Sequence, residues 1–380
     1  MVSDSNAPVI VVAPDSFKGS LSASEVADAL AYGVSCALPN AIVRRCPMAD
    51  GGEGTLDAML SKEGLRKSVL VSGASGCPLN VEVGLLVDGT AVIEVASIVG
   101  ITEMTGMGAP VQERSTRGVG EVIRWCLDDG CRRFYIALGG SSTNEAGAGM
   151  LVALGLRIYD AYGSALSPTL ADMKHIALVD VTQLDRRLLE VEIVCLTDVD
   201  NPLAGDGGAT AIFGKQKGVD PASVDMYDAV ISRFAHMLET ALGRTASNAA
   251  GAGAAGGLGF ALQMLGGTCA PGAEVVAAQV GLDAALQTAD WVITGEGRSD
   301  EQTMFGKAPF VVSLHAQRLG IPTTLLSGAV ATTALRTLNA HFAGCFSAAP
   351  GPITLAEALR NARHLLSNQA EQMTRLRFIA

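Results

Sequence analysis

Acidic side chains recur in five glycine-containing loops of this chain, together with either a cation or a hydroxyl-rich turn. Each loop follows a short apolar run, and the five segments are VIVVAPDSFKGS (9–20), IVRRCPMADGGEGT (42–55), FYIALGGSSTNEAG (134–147), IVCLTDVDNPLAGDGG (193–208) and WVITGEGRSDEQTMFGK (291–307). Loops at the carboxyl ends of strands carry the ligand sites of open α/β sheets, and glycine there lets backbone amides approach a phosphate. The pattern therefore predicts an enzyme that handles phosphorylated or otherwise anionic small molecules.

The first loop places a cation beside a carboxylate at the start of a predicted helix. Asp15, Ser16 and Lys18 follow an apolar strand directly, and a glycine and a serine then lead into the helix. Backbone amides at a helix N-terminus attract anions, and a lysine ammonium adds a point charge. The arrangement predicts phosphate binding. The alternative is an ordinary strand-to-helix turn in which a serine caps the helix.

The last loop gathers several charged residues within twelve positions. Glu296, Arg298, Asp300 and Lys307 follow the apolar run WVIT. An arginine can bind a carboxylate or a phosphate through two hydrogen bonds, and the acids can hold it or a metal in place. The loop predicts an anion site. The alternative is an ion-pair network within the loop that binds no ligand.

Two further loops carry pairs of acids. Asp50 and Glu53 stand among glycines in MADGGEGT, and Asp198 and Asp200 are two positions apart in TDVDNPL. Hard cations such as Mg²⁺ prefer oxygen ligands, and a carboxylate can also accept a proton from a substrate hydroxyl. The pairs predict metal binding and general-base chemistry. The alternatives are a tight turn with exposed acids and two surface acids.

The remaining loop contains hydroxyls and an amide in place of a cation. Ser141, Ser142, Thr143 and Asn144 precede a predicted helix at Ala146. Successive backbone amides and hydroxyls in such a loop can form a nest for a carboxylate or a phosphate. A loop that only caps the helix is the alternative. The segment is a second candidate anion site.

Two apparent nucleotide-binding motifs lack the sequence context or the residues that such motifs require. The segment GAGAAG at 251–256 satisfies GxGxxG, but it follows a polar stretch after a helix rather than a strand, which argues against a dinucleotide fingerprint. A Walker motif around Gly306 and Lys307 would need glycine and serine or threonine where Glu301 and Ala308 stand. The five histidines all lie outside the glycine loops, so histidine-based triad chemistry is disfavoured.

Charge and composition limit the class of protein. The 380 residues are 49% hydrophobic and 17% charged, which permits a large core and favours two domains over one. The net charge of −11 argues against a nucleic-acid partner. The uncharged segment 247–273 is too rich in glycine and alanine to favour a membrane span. The N-terminus lacks a secretory signal and the eight cysteines lack metal-ligand spacing, so a cytoplasmic location is expected.

Two kinds of α/β unit must position these loops. Apolar strands alternate with amphipathic helices near both ends of the chain, and these predicted elements are strands at 9–14, 41–46, 290–294, 322–326 and 344–348 and helices at 22–38, 55–62, 308–319, 331–340 and 354–373. From 65 to 95, strand-like runs are joined by turns too short for crossover helices, which predicts a mixed sheet. Helices at 116–129, 146–154 and 221–242 and strands at 133–138 and 191–196 continue that second unit.

The expected fold class is α/β with two unlike domains. The simplest topology joins the two ends of the chain in one parallel sheet, as a discontinuous Rossmann-like domain of residues 1–64 and 282–380. A mixed-sheet α/β domain of residues 65–281 is then inserted between them. All five loops are expected to line an interdomain cleft.

Seven segments carry a resemblance to a known family: APDSFKGSLSA, PMADGGEGT, GSSTNEAGAGML, DVDNPL, FGKQKG, GAAGGLGF and ITGEGRSDEQTMFGK. In this order they resemble the signatures of bacterial type I glycerate kinases, and the similarity extends from about residue 9 to the C-terminal helix. The chain departs from the family pattern at Lys215, where a proline is expected, and at Thr197, where a cysteine is common. Lys217 is therefore the better candidate for a functional cation in FGKQKG.

The resemblance implies a kinase that depends on ATP and Mg²⁺ and phosphorylates D-glycerate, with 2-phospho-D-glycerate as the product. Its implied partners are glycerate and ATP, with neither nucleic acid nor membrane, and assembly into a homo-oligomer is left open. Two other classes also remain open. One is a non-catalytic sensor of sugar acids, and the other is a Mg²⁺-dependent phosphatase of small hydroxy-acid phosphates.

The family motifs suggest a role for each candidate residue, because phosphoryl transfer needs charge neutralisation and a group that orients the attacking hydroxyl. The catalytic candidates are Asp198 as general base, Lys18 for phosphate charge and Arg298 for the substrate carboxylate. The candidates for binding ATP are Ser141, Thr143, Asn144, Lys217, Lys307, Gly295 and Gly297. The candidates for binding glycerate are Asp15, Ser16, Gly51, Gly52, Glu53 and Glu296. The candidates for binding Mg²⁺ are Asp50 and Asp200.

Overall fold

The computed structural model describes residues 7–60 and 64–379 of the chain. The strands are β1 (Val9–Val12), β2 (Ile42–Arg45), β3 (Leu65–Ser72), β4 (Pro78–Leu85), β5 (Ala91–Glu94), β6 (Arg133–Ala137), β7 (Arg157–Tyr159), β8 (Leu178–Asp180), β9 (Glu192–Leu196), β10 (Thr268–Ala270), β11 (Trp291–Thr294), β12 (Arg298–Ser299), β13 (Thr323–Ser327), β14 (Ala329–Val330) and β15 (Gly344–Ser347). The helices are α1 (Ala23–Ala37), α2 (Thr55–Met59), α3 (Val95–Val99), α4 (Met104–Gly108), α5 (Arg117–Asp128), α6 (Ala148–Ala153), α7 (Leu170–Met173), α8 (Ala209–Phe213), α9 (Val224–Leu242), α10 (Ala254–Met264), α11 (Gly272–Gln279), α12 (Leu282–Leu286), α13 (Ala308–Arg318), α14 (Leu335–Leu338) and α15 (Leu355–Phe378).

Contacts between residues group the described chain into two units. The described residues of the terminal unit fall within Met1–Asp50, Asp57–Ser61 and Ala273–Ala380. Those of the central unit fall within Gly51–Leu56 and Lys62–Gly272. Each unit has its own sheet and its own apolar core.

The terminal unit contains a five-stranded parallel sheet in the order β15-β13-β11-β1-β2. Every residue of β1 and β11 is buried, as expected for strands covered by helices on both faces. The first and last parts of the chain therefore share one parallel sheet, and this prediction is confirmed. The carboxyl ends of β1, β11 and β13 lie side by side, so the loops that follow them share one edge of the sheet.

Helices α1 and α15 cover this sheet and pack closely against each other. Ser22 and Glu25 form the capping box that begins α1, as their spacing predicts. Gly33 lies where the helices approach most closely, because a Cβ at this position would collide with the carbonyl oxygen of Ser367. The apolar stripe of α15 contributes Leu366 and Ala370 to the same core.

The central unit contains a six-stranded mixed sheet in the order β10-β9-β6-β5-β4-β3. Strands β5, β6, β9 and β10 run parallel, whereas β3, β4 and β5 pair antiparallel through short turns. The predicted mixed sheet is therefore confirmed. Within the described ranges, no helix combines the length and apolar character needed to cross a bilayer, and the uncharged segment 247–273 folds into turns, α10 and β10.

Some predicted elements differ from those in the structure. The helix predicted at 331–340 is wrong over most of its length: β14 pairs with β12, a 3₁₀ turn follows, and only Leu335–Leu338 is α-helical. Strand β1 ends at Val12, since Pro14 has no backbone donor for the sheet. The helix predicted at 55–62 ends at Met59, and the end predicted for it lies outside the described residues.

A buried histidine joins three short helices on one flank of the terminal unit. His315 of α13 contacts Asp283 of α12 through Nδ1 at 2.6 Å and Glu274 of α11 through Nε2 at 2.9 Å. Burial lowers the pKa of His315, but the two carboxylates outweigh this effect and the net pKa is raised. The cluster therefore favours the protonated imidazole.

We expect this cluster to make the stability of the protein depend on pH. Because the folded-state pKa is raised, the contribution is fully present below the ordinary histidine pKa of 6.5 and is lost as the pH rises through the higher folded value. Urea unfolding of the wild type and His315→Gln across this range checks the prediction. The difference in unfolding free energy should shrink with rising pH, and a constant difference would show that His315 contributes through packing alone.

Candidate active site

The loops after β1, β11 and β13 are hydrogen-bonded to one another at the carboxyl edge of the terminal sheet. The amide of Asp15 donates to the carbonyl of Gly295 at 2.8 Å, and the amide of Gly328 donates to the carbonyl of Glu296 at 3.1 Å. Gly295 has no room for a side chain, because a Cβ there would collide with the carbonyl oxygen of Leu326. Glycine is thus needed for these loops to lie so close together.

A pocket of about 550 Å³ opens at this edge of the sheet. Most of the candidate residues that the sequence places in the terminal unit line its polar part, and they are Asp15, Ser16, Lys18, Asp50, Glu296, Gly297, Arg298, Asp300 and Lys307. Asp50 follows β2, whose exit is joined to the first loop by a hydrogen bond from the amide of Met48 to the carbonyl of Pro14 at 2.8 Å. Three loops separated in sequence therefore contribute to one pocket.

Glu296 is the centre of a buried hydrogen-bond network in this pocket. Its Oε1 accepts bonds from Ser299 Oγ at 3.1 Å and from Thr303 Oγ1 at 2.6 Å. Its Oε2 accepts a bond from Lys307 Nζ at 3.2 Å, and Lys307 immediately precedes α13. This geometry suits a residue that holds Lys307 in place at the start of the helix.

Asp15 is a buried carboxyl with a strongly perturbed pKa. Burial, together with the neighbouring carboxylates of Asp50 and Glu296, raises this pKa to about 8 against the opposing effects of Ser16 and Lys18. At neutral pH the group is therefore mostly protonated, and a bound cation would favour its ionised form. The hydroxyl of Ser16 is buried and finds no hydrogen-bond partner within the described part of the chain, which leaves it available to a ligand.

Arg298 is an accessible cation of the pocket. Its side chain is 72% exposed, and its Nε lies 3.7 Å from Asp300 Oδ2, a long and weak ion pair. Asp300 itself caps the following 3₁₀ turn through a bond from the amide of Gln302. A guanidinium held this loosely can turn to bind a carboxylate or phosphate with two hydrogen bonds.

The loop MADGGEGT spans the boundary between the units, with Asp50 in the terminal unit and Gly51, Gly52 and Glu53 in the central unit. The carbonyl of Gly51 accepts a bond from the amide of Gly139 at 3.0 Å, and a Cβ on Gly51 would lie 2.9 Å from the carbonyl oxygen of Leu196. The two glycines are buried, while Glu53 is exposed. The glycines therefore let this loop pack on the exits of β6 and β9.

Glu94 is a residue of this region that has no signal in the sequence. Its carboxylate accepts bonds from the amide of Gly54 at 2.8 Å and from the amide of Leu56 at 3.2 Å. It lies at the end of β5 inside an apolar run, where an acid is easily taken for part of a strand. Its contacts fix the end of the MADGGEGT loop.

The acids after β9 are exposed at the edge of the central sheet. Asp198 and Asp200 both face solvent, and Asp198 Oδ1 accepts a bond from the amide of Gly272 at 3.0 Å. This bond fixes one oxygen of Asp198. A fixed yet accessible carboxylate is suited to accept a proton from a substrate hydroxyl.

The hydroxyl-rich loop of the central unit is built around a buried lysine. Lys217 is 2% exposed, and its Nζ donates to Ser141 Oγ at 3.0 Å and to the carbonyl of Thr143 at 2.7 Å. Burial lowers the pKa of Lys217 to about 7. Thr143 Oγ1 and Asn144 Oδ1 are buried without a hydrogen-bond partner among the described residues. The loop therefore contains an ammonium group that hydrogen-bonds within the protein and two polar atoms that make no hydrogen bond to the described residues.

Two further charged residues make hydrogen bonds in and around this loop. Glu145 accepts bonds from Thr116 Oγ1 at 2.8 Å and from the amide of Gly149 at 2.6 Å, and burial raises its pKa to about 7. Arg114 donates to the carbonyls of Ser142 at 3.0 Å and Lys217 at 2.9 Å. The guanidinium thus joins the loop to the FGKQKG segment, although the sequence around Arg114 gives no sign of this.

The same loop interlocks with the glycine-rich segment that begins α10. Ala146 and Ala255 adopt left-handed backbone conformations with φ of 55° and 52°, which residues other than glycine rarely adopt. The amide of Ala146 donates to the carbonyl of Gly256 at 3.0 Å. Backbone strain of this kind is retained where surrounding structure over-determines it, and it is common at functional sites.

We expect Gly256→Ala to destabilise the protein much more than Gly163→Ala. Both glycines have positive φ, of 68° and 79°, so the conformational cost is matched. Only at Gly256 would the new methyl group collide with the carbonyl oxygen of Thr143, whereas Gly163 has open space. The overpacking should add about 1–3 kcal/mol to the loss of unfolding free energy. If urea unfolding shows the same loss of unfolding free energy for both variants, the loop around Thr143 moves to accommodate the methyl group without an energetic cost.

Comparisons with known proteins find similarity along nearly the whole chain. A model described as the glycerate kinase family matches residues 10–377. A glycerate kinase of Bacillus subtilis (strain 168) is 40% identical over 372 residues, covering 96% of each chain. The glycerate 2-kinase of Escherichia coli (strain K12) is 38% identical over 357 residues, covering 93% of each. A candidate glycerate kinase 2 of Salmonella typhimurium LT2, solved by crystallography, is 39% identical with a TM-score of 0.86 over 98% of both chains.

Proposed function

The chain belongs to the glycerate kinase family and is an enzyme that acts as a glycerate kinase, and from this premise we propose that it transfers the terminal phosphoryl group of ATP to D-glycerate with Mg²⁺ present. We propose 2-phospho-D-glycerate as the product, which the similarity to a glycerate 2-kinase supports. The kinase assignment takes the place of the sensor and phosphatase alternatives. The cytoplasmic location and the oligomeric state stay predictions.

The observation that carries the proposal is the group of three cations around the terminal pocket. Lys18, Arg298 and Lys307 line it together with buried carboxylates. Phosphoryl transfer asks the protein mainly to position the reactants and to neutralise charge on the transferred group. We assign Lys18 and Lys307 to phosphate charge and Arg298 to the carboxylate of glycerate. Glu296 then acts through Lys307, as a positioning residue.

The oxygen-rich chemistry of the pocket fits a magnesium ion. Asp15 and Asp50 are neighbouring carboxylates, and the pKa of Asp15 is raised first by burial and then by the charge of Asp50, which a cation would offset. No cluster of three or more histidine, cysteine, aspartate or glutamate side chains suited to a metal occurs in residues 7–60 and 64–379. Mg²⁺ commonly binds through one or two carboxylates and takes its other ligands from phosphates and water. Asp50 and Asp200 remain our candidates to hold the ion, whose charge would offset that of the phosphates.

The proposed roles in the central unit concern the acceptor hydroxyl and a second anion. Asp198 is our general base, because its carboxylate is exposed and fixed by the amide of Gly272. Thr143 and Asn144 are candidates to bind an anionic group, since each has a buried polar atom without a partner in the described structure. Lys217 is assigned to holding this loop, because its ammonium already bonds Ser141 and Thr143.

A ³¹P NMR experiment tests the proposed reaction and its product together. The protein is incubated with ATP, Mg²⁺ and D-glycerate, and the spectrum should show ADP and a new phosphomonoester. A phosphate on carbon 2 couples to one proton and gives a doublet, whereas a phosphate on carbon 3 couples to two and gives a triplet. Omitting glycerate, or replacing Mg²⁺ with EDTA, should abolish the new signal.

These spectra, with a further incubation of the protein with 2-phosphoglycerate alone, identify each failure of the proposal. A triplet would overturn the 2-phosphate assignment and leave the kinase reaction intact. Product formation with EDTA present would overturn the Mg²⁺ requirement. Release of inorganic phosphate from 2-phosphoglycerate without any nucleotide would instead indicate a phosphatase.

A further inference from the structure

The terminal pocket has an apolar part that the phosphate and metal assignments do not use. It is lined by Leu355, Ala358, Leu359 and Ala362 on one face of α15, and by Ala348 and Ala349 after β15. The spacing of the α15 residues places them on successive turns of the same helix face. The wall is therefore a continuous apolar surface beside the three cations.

The wall consists of two leucines and four alanines, and both leucines are exposed whereas Ala348 and Ala362 are buried. Leu355 is 74% exposed and Leu359 is 39% exposed. Further along the same stripe, Leu366 and Ala370 are buried in the core that α15 shares with α1. The stripe thus continues past its helical partner and faces the pocket at its N-terminal end. Exposed apolar surface of this kind commonly marks a ligand-binding groove.

The wall is held in place before any ligand binds. Thr354 and Glu357 form a capping box at the start of α15. The hydroxyl of Ser20 donates to the carbonyl of Leu359 at 2.8 Å, which ties the first turns of the helix to the loop that carries Lys18. One hydrogen bond therefore joins the helix that forms the wall to the loop that carries Lys18.

Size and charge together indicate what the pocket holds. A volume of about 550 Å³ is far larger than a three-carbon acid requires, and it lies in the range of about 300–1,000 Å³ found for sites of much larger ligands. Lys18, Arg298 and Lys307 line the pocket together with the acidic residues Asp15, Asp50, Glu296 and Asp300, whereas the α15 wall is apolar with Ser20 beside it. The fitting ligand is an anion, accompanied by a cation, that also has an apolar part.

We propose that this pocket is the nucleotide site, with the purine base lying on the α15 wall and the phosphates directed to Lys18 and Lys307. The inference rests on the proposed function, in which ATP is the phosphoryl donor. Apolar side chains bind a base through burial and dispersion, without hydrogen bonds that distinguish one purine from another. The wall side chains therefore contribute affinity for the base rather than recognition of a particular purine.

Calorimetric titrations of the full-length protein test this assignment with two probes, ADP and tripolyphosphate, both with Mg²⁺. Ala358→Trp fills the space beside the wall, and Leu359→Asp places a charge on it. Both positions are partly or fully exposed, so the variants should fold. Each should weaken ADP binding by roughly tenfold or more while leaving tripolyphosphate binding unchanged. Leu376→Asp, on an exposed position of the same helix, is the matched control and should bind both probes normally.

The outcomes separate this inference from the proposed function. Wild-type protein that binds neither ATP nor ADP would overturn the function itself. Unchanged ADP binding by both wall variants, with wild-type binding intact, would overturn only the base site. Equal weakening of ADP and tripolyphosphate would also overturn it, because the effect would then not concern the base. If the wall variants dissociate an oligomer and keep their ADP affinity, a second copy of the chain covers the wall and the base site is wrong.

Discussion

Asp198→Asn is expected to lower kcat by roughly 100-fold or more, while the affinity for ATP stays close to that of the wild type. The amide cannot accept the proton that leaves the glycerate hydroxyl. Its remaining oxygen can still accept the bond from the amide of Gly272, so the local backbone should keep its position. Steady-state kinetics with saturating ATP and glycerate measures the first effect, and calorimetry with ATP in the absence of glycerate measures the second.

Asp206→Asn is the matched control for this experiment. Asp206 is an exposed acid in the same segment after β9, and none of the assigned roles depends on it. We expect this variant to retain near-normal turnover. If Asp198→Asn turns over within a few-fold of the wild type, Asp198 is not the general base. If ATP affinity falls in parallel with kcat, its role lies in binding.

The terminal sheet could be predicted from the sequence because its strands are buried on both faces. Runs such as VIVV and WVIT are continuously apolar, and this is the pattern that a helix-covered parallel sheet imposes. Glycine-rich loops after such runs then had to meet at one edge. The sequence therefore predicts which polar residues line the pocket, since Lys18, Glu296 and Lys307 all belong to those loops.

The interior of the hydroxyl-rich loop could not be predicted in the same way. The sequence presents Lys217 as a cation in a turn, but the fold buries it beneath Ser141 and Thr143. Nothing local in the chain signals that Arg114 reaches the carbonyls of Ser142 and Lys217. These contacts join residues about 30 to 100 positions apart, and they depend on tertiary packing that periodicity does not encode.

Helix α15 shows a third case, in which the element is predictable and its use is not. Its Thr-x-x-Glu cap and its amphipathic spacing predict a surface helix that packs on the core. The spacing cannot show where the partner helix ends. Only the structure reveals that the stripe at Leu355 and Leu359 extends beyond α1 and becomes the wall of a pocket.

Lys307→Met should lower kcat/KM for ATP by roughly 100- to 1,000-fold, an effect typical of removing one preorganised charge from a transition state. The Lys307 ammonium is held at the start of α13 by Glu296, which already accepts bonds from Ser299 and Thr303. It is therefore fixed before substrate arrives. Arg318→Met, at the exposed opposite end of α13, is the matched control and should leave kcat/KM unchanged.

The remaining question is whether a loss of activity comes from catalysis or from instability, since removing Lys307 also leaves Glu296 as a buried acid without its cation. The double variant Lys307→Met with Glu296→Gln removes both charges. If Lys307 neutralises phosphate charge, the double variant should regain unfolding free energy in urea and stay inactive. Recovery of activity along with stability would instead show that Lys307 only balances Glu296. The phosphate role would then fall to Lys18, whose side chain lines the same pocket.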